Sequence, residues 1–129
     1  LSAILLDTHA WAWSLTGDER LSEKAVAAIL DADSVFVSPI SFFEIGQKVR
    51  IGKWPQMAPY VDDLPALLEK QGGRSAALTS QICLHAAVMP WEHRDPFDRL
   101  LAAGALQASI PLLSADEIFD TVPGLTRLW

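Results

Sequence analysis

Cysteine is nearly absent: Cys83 is the only one in 129 residues. A lone thiol excludes an internal disulfide and a cysteine-based zinc site, and it suits a reducing cytoplasm. Long apolar runs are missing too. The longest stretch without Asp, Glu, Lys or Arg, residues 75–91, contains Ser, Thr, Gln, His and Pro, so no membrane span is expected. No basic segment precedes an apolar one at the start, so no secretory signal is expected either. Positive charge is scarce: 10 Lys plus Arg stand against 16 Asp plus Glu, a formal net charge of −6. That excludes a general basic surface for nucleic acid, and any polyanionic partner needs a local device. The histidines His9, His85 and His93 lack the His-x-x-x-His spacing of a metal site. Apolar residues are plentiful. Half of the chain is hydrophobic, which excludes a disordered tail and supports one domain, residues 1–129, with its own core.

Apolar runs and turn residues alternate along the chain. Residues 3–6 form a short apolar run that stops at Asp7 and predict a buried strand. Residues 22–32 place Ala, Val, Ile and Leu at helical spacing behind a Ser cap. Residues 35–38 are β-branched and aromatic and end before Pro39, a second strand. Helical periodicity returns over 40–51 and closes at Gly52. After a Pro-rich loop, helices are expected over 60–71 and 80–87, with a short strand at 74–78 between them. The clearest helix is 96–109, with Asp95 as N-cap and Pro96 at its first position. Short strands at 110–113 and 126–129 complete the pattern. Short strands separated by helices predict an α/β class fold, a three-layer α/β/α sandwich around a short parallel sheet. In such sheets the ligand crevice lies at the carboxyl ends of the strands.

Four acids adjoin core-like sequence: Asp7 after Ile4-Leu5-Leu6, Glu44 after Phe42-Phe43, Asp98 before Leu100-Leu101, and Asp116 shortly after Leu112-Leu113. A buried carboxylate must be paired, hydrogen-bonded or bound to a metal. Too few basic residues lie beside these four to pair them all, and one divalent cation would serve them together. Each acid also has a plain structural reading. Asp7 fits a cap for a helix beginning near His9, and Asp116 a cap for a turn at 117–119. Asp98 suits the dipole of the helix behind Asp95, and Glu44 lies four residues before Lys48, an ion-pair spacing. Cys83 reads as a small buried residue. Five tryptophans, among them Trp11, Trp13, Trp54 and Trp91, read as core packing or as surface for a partner.

The segments LLDTHAW, SPISFFEIGQKVRIGK and RDPFDRLLAAGALQASIPLLSADEIF resemble the PIN-domain ribonucleases, and more narrowly the VapC-type toxins of bacterial toxin–antitoxin pairs. The resemblance covers essentially the whole chain in the family's order. By motif, Asp7, Glu44, Asp98 and Asp116 fall on the family's acidic metal-binding quartet, and Thr8 and Ser114 on hydroxyls that support it. Asp95 is a further acid there, with its N-cap role foremost. The resemblance implies a metal-dependent endoribonuclease, a homodimer, and a cognate antitoxin that blocks the site. All-oxygen ligands favour Mg2+ or Mn2+ over zinc. Lys48, Arg50 and Lys53, with Arg94 and Arg99 flanking the third motif, are candidate contacts for RNA phosphates or members of a solvated face. An aspartyl phosphatase wants a second Asp at position 9, where His9 stands, and a dinucleotide fold wants glycines after the first strand. The remaining rival is a PIN-like binding or regulatory module without catalysis.

Overall fold

A computed structural model describes residues 2–129. Its strands are β1 (Ala3–Leu6), β2 (Ser34–Val37), β3 (Arg74–Ser75), β4 (Leu112–Leu113) and β5 (Arg127–Leu128). The helices are α1 (Thr8–Thr16), α2 (Glu23–Asp31), α3 (Pro39–Arg50), α4 (Leu64–Lys70), α5 (Ser80–Val88) and α6 (Pro96–Ala108). All strand pairs are parallel, in the order β3-β2-β1-β4-β5.

Side chains of β1 alternate between two cores. Ile4 and Leu6 face one side with Trp11 of α1, Ala25 of α2, Ile45 of α3 and Leu64 and Leu68 of α4. Leu5 faces the other with Ile82 of α5, Leu101 and Ala105 of α6, and Phe119. A strand buried on both faces reads as a continuous apolar run, which is why residues 3–6 show no polar alternation. The three-layer α/β/α arrangement is therefore present as expected.

Most expected elements fall within a residue or two of their places. Two differ more: the strand expected over 74–78 is only Arg74–Ser75, and the helix expected over 60–71 begins inside a 3-10 segment, Pro55–Asp63, with the short α4 following. Pro59 and Pro65 remove amide donors there, and a regular α-helix through both would lose those bonds. The helix over Thr8–Thr16, which the sequence signalled only through a possible Asp7 cap, is also complete, and Gly17 closes it in the left-handed region at φ 66°. Among the described residues no helix is long and apolar enough to cross a membrane.

Topology decides where a site can lie. From β1 the chain passes outward to β2 and β3, then returns to the other side of β1 to form β4 and β5. The order reverses beside β1, so the crevice of this sheet opens at the carboxyl ends of β1 and its neighbours. In register, Leu6 lies beside Val37 and Leu113, so the next residues, Asp7, Ser38 and Ser114, leave the sheet at one edge. The Asp7 amide donates to Leu113 O at 3.0 Å and extends that register by one residue.

Leu5 is 2 % exposed and stands on the strand between the two helical layers. Leu5→Ala should lower unfolding free energy by about 2–5 kcal/mol in urea titrations without loss of helical signal. A cost below about 1 kcal/mol would mean that the second core does not close on β1.

Candidate active site

Asp7 ends β1 and caps α1. Its Oδ1 accepts from the Ala10 amide at 2.7 Å, so one carboxylate oxygen is already committed to the helix end. The Ser114 hydroxyl, one residue past β4, lies beside the same carboxylate and favours its charged form. Ser114 is itself held from three directions. Its Oγ accepts from the Asp116 amide at 3.0 Å, its amide donates to Leu128 O, and its carbonyl accepts from Arg127 Nη1 at 3.1 Å.

Thr8 and Ser41 join α1 to α3 through a buried hydroxyl pair, 2.8 Å apart. Glu44 lies one turn beyond Ser41 and so projects from the same side of α3. It is 5 % exposed and receives Lys48 Nζ on Oε2 at 2.6 Å, so the expected ion pair is present but with its acid buried. Asp98 sits in the first turn of α6, behind Asp95, whose Oδ1 accepts from the Phe97 and Asp98 amides at 2.8 and 3.2 Å. Asp95 therefore has its expected cap role.

The three acids share one neighbourhood. Burial pushes the Asp7 carboxyl up to about 6 from the usual 3.8; the Ser114 hydroxyl and the Ala10 hydrogen bond pull it back, and the Asp98 charge pushes it further up. Asp98 is raised as well, first by burial, against the pull of its His93 bond, with the charges of Asp95 and Glu44 adding to the rise. Asp7 and Glu44 are thus both linked electrostatically to Asp98. Asp116 is different: its side chain is exposed and caps the 3-10 segment Glu117–Thr121 through Ile118 N at 3.0 Å, and its contact with Ser114 is made by its backbone amide rather than its carboxylate.

His93 is the residue that sequence spacing did not single out. Its Nε2 lies 2.6 Å from Asp98 Oδ2, and His93, Asp95 and Asp98 each offer a ligand atom within 4.8 Å of the others. The signal was present as His-x-Asp-x-x-Asp, but that spacing brings donors together only because the chain turns between His93 and the cap at Asp95.

Arg99, expected as a phosphate contact, has a different place. Its Nε donates to Ala86 O at 2.7 Å, Nη1 to Trp91 O and His93 O at 2.6 and 2.9 Å, and Nη2 to Met89 O at 2.6 Å. One guanidinium thus gathers the carbonyl end of α5 and the loop leading to His93. Arg50, Lys53 and Arg94 are exposed, whereas Lys48 is committed to Glu44.

This donor set suits a hard divalent cation. Its oxygens are carboxylates, two of the acids are more than nine-tenths buried, and the raised pKa of Asp7 marks a charge that burial leaves under-compensated. The site carries carboxylate oxygens, one imidazole and supporting hydroxyls at the sheet edge, which is a constellation for phosphate chemistry rather than nucleophilic catalysis by a side chain.

A family profile described as PIN domain matches residues 4–125. The chain is 30% identical over 117 residues to Ribonuclease VapC22 of Mycobacterium tuberculosis (strain ATCC 25618 / H37Rv), covering 90% of this chain and 88% of that one. Its fold is similar to a chain in the crystal structure of VapBC2 from Rickettsia felis bound to a DNA fragment from their promoter, at TM-score 0.72, 14% identity and 98% coverage of both chains. It is also similar to a chain of a toxin-antitoxin complex from Klebsiella pneumoniae, at TM-score 0.62, 13% identity and 95% coverage of both.

Two outcomes test this geometry. A carboxyl whose pKa is higher in the fold than in the unfolded chain favours folding at low pH, and that contribution is lost as pH rises from about 4 through about 6. In chelator-treated buffer Asp7→Asn, which keeps the capping oxygen, should therefore gain stability over the wild type by about 1.5 kcal/mol between about pH 5 and pH 7.5. A difference independent of pH would remove the buried charge from the account. Arg99→Lys keeps the charge but cannot reach four carbonyls from one nitrogen, and should cost at least about 2 kcal/mol in urea unfolding.

Proposed function

The chain belongs to the PIN-domain family, in its VapC-type branch, and on that premise we propose that it is a metal-dependent endoribonuclease, the toxin of a toxin–antitoxin pair, acting as a single domain in the cytoplasm. One observation carries this reading: the charge of Asp98 acts on the buried Asp7 and that of the buried Glu44 acts on Asp98, while the ion-pair partners of these acids among the described residues are Lys48 and His93 alone. A module that only binds a partner gains nothing from such a cluster, because each buried carboxylate costs stability.

Asp7, Glu44 and Asp98 would hold Mg2+ or Mn2+, with the exposed Asp116 as a fourth ligand. Bound there, the cation would offset the acids, attract the scissile phosphate and make an attacking water more acidic. The protein's own groups prepare that site. Ser114 and the α1 amide orient Asp7, and the Thr8–Ser41 pair fixes the separation of α1 from α3 and so the reach of Glu44. His93 orients Asp98, and Lys48 keeps a cation beside Glu44. Arg50, Lys53 and Arg94 remain exposed to meet the phosphates on either side. A homodimer and a cognate antitoxin complete the proposal. Apolar side chains left exposed on three helices, Val26 and Leu30 on α2, Phe43 on α3, and Leu84 and Val88 on α5, supply surface for both. The tryptophans contribute less to that surface: Trp11 is fully buried and the others are partly packed.

Purified protein should cut an unpaired RNA oligomer internally with Mg2+ or Mn2+ and stop on addition of a chelator. Asp7→Asn and Asp98→Asn should each slow cleavage by more than about a hundredfold, the upper end of the cost of losing an outer-shell partner. The thermal midpoint should rise with Mn2+ independently of activity, by the amount expected for a ligand bound only by the native state. Metal stabilisation without cleavage would favour the binding-module reading, and neither effect would sink both.

A further inference from the structure

An acidic protein that handles RNA has a shortage of cations to hold it. Of its 10 Lys and Arg, Arg20, Lys48 and Arg127 are ion-paired to Asp18, Glu44 and Asp120, and Arg99 is engaged by backbone carbonyls. Arg50, Lys53 and Arg94 remain for the phosphates, and contacts that need no charge would add to so small a set. Stacking of bases on aromatic rings is such a contact, and it tolerates any sequence because every base has a π-face.

The structure has rings in the right place. His9 follows Asp7 by two residues, at the first turn of α1, and is exposed. Its ring stacks on Trp54, with centroids 4.7 Å apart and planes inclined by 27°. Trp13 contacts His9 from the side at 5.8 Å. Behind the stack, Lys48 Nζ lies 5.8 Å from the Trp54 ring centre and 2.6 Å from Glu44 Oε2. The column of rings is thereby tied to the acidic site twice, through the chain from Asp7 and through Lys48 from Glu44. Past Trp54 runs a groove of about 320 Å³ lined by Trp13, Arg20, Gln56 and Tyr60, which gives a strand a path away from the site.

We propose that the exposed ring of His9, backed by Trp54, is a stacking platform for one unpaired RNA base next to the scissile phosphate. The proposal rests on the ribonuclease reading for its substrate and goes beyond it in assigning a base subsite. Trp54 holds the imidazole flat, and Lys48, paired to Glu44, backs the Trp54 ring. A paired base cannot join the column, because its face is covered by its own neighbours, so the platform selects single strands and loops over duplex.

Steady-state cleavage of an unstructured RNA oligomer tests the idea. His9→Ala should raise KM about tenfold, about 1.4 kcal/mol, with kcat within about twofold. His9→Phe should restore KM, since a phenyl ring stacks without an imidazole's protons. With an oligomer lacking the base on either side of the cleaved bond, wild type and His9→Ala should become alike on one of the two substrates. Binding is read separately, by tryptophan fluorescence of the Asp7→Asn protein titrated with the oligomer in chelator. There His9→Ala and Trp54→Phe report on the platform even if no RNA is ever cut. Binding that His9→Ala weakens would uphold the platform while the ribonuclease reading failed. Unchanged KM and unchanged binding in His9→Ala would overturn the platform while leaving the ribonuclease reading intact. A loss of kcat in both His9→Ala and His9→Phe would overturn it too, by giving His9 a chemical role. So would weakened inhibition by a protein partner with RNA binding intact, which would make this face a protein-docking surface.

Discussion

Burial of the Asp7 carboxylate is the constraint around which the sheet edge is arranged. Asp7 must leave β1 in register with Ser114, because the Ser114 hydroxyl is one of the groups that holds its charge. It must also begin α1, because the Ala10 amide is another. A one-residue slip of β1 against β4 would carry Asp7 away from the serine and turn Leu5 toward the wrong helical layer. The same residue thus reports on strand register, helix start and site chemistry. Helix N-termini favour negative charge, and Asp7 and Asp98 both stand at such ends, of α1 and α6. That geometry lets the fold carry two neighbouring acids without a guanidinium between them.

Cations in this protein act mainly on its own backbone and acids. Arg99 joins the end of α5 to the loop before α6, so the position of His93 against Asp98 depends on a residue that never faces the crevice. Arg127 does similar service at the other side of the sheet, bridging Asp120 and the carbonyl of Ser114. Charge that might have met a phosphate is used to fix the two serine- and histidine-bearing segments that orient Asp7 and Asp98. A net charge of −6 is tolerable under that arrangement if a cation occupies the acids and aromatic rings share the work of holding the strand.

Much of this was legible along the chain because the signals are local. Asp95 followed by Pro96 marked the start of α6, and Ser22 and Gly52 marked the limits of α2 and α3. Apolar runs stopped at Asp7 and near Asp116 because the strands stop there. Residues 60–63 were read as the start of a regular helix, whereas they end the 3-10 segment Pro55–Asp63, because apolar spacing says nothing about which amides can pair, and the prolines decided that locally. Asp7, Glu44, Asp98 and Asp116 were singled out by their adjacency to core runs, and of these Asp7 and Glu44 are buried, Asp98 is half-buried and Asp116 is exposed. Adjacency to a buried strand does not say how far past its end a side chain must travel before reaching solvent.

What the sequence determined by itself is the set of elements, the alternation of strand and helix that makes the sheet parallel, and the identity of the acids that interrupt apolar runs. These depend on neighbours a few residues apart. Tertiary structure alone decided that β1 lies between β2 and β4, that Ser114 meets Asp7, that His93 turns back onto Asp98, and that Arg99 faces carbonyls rather than solvent. The reason is physical: a charged group's partner is chosen by distance in space and by the cost of burial. Neither can be read until the strands have taken their order and the loops between them have closed.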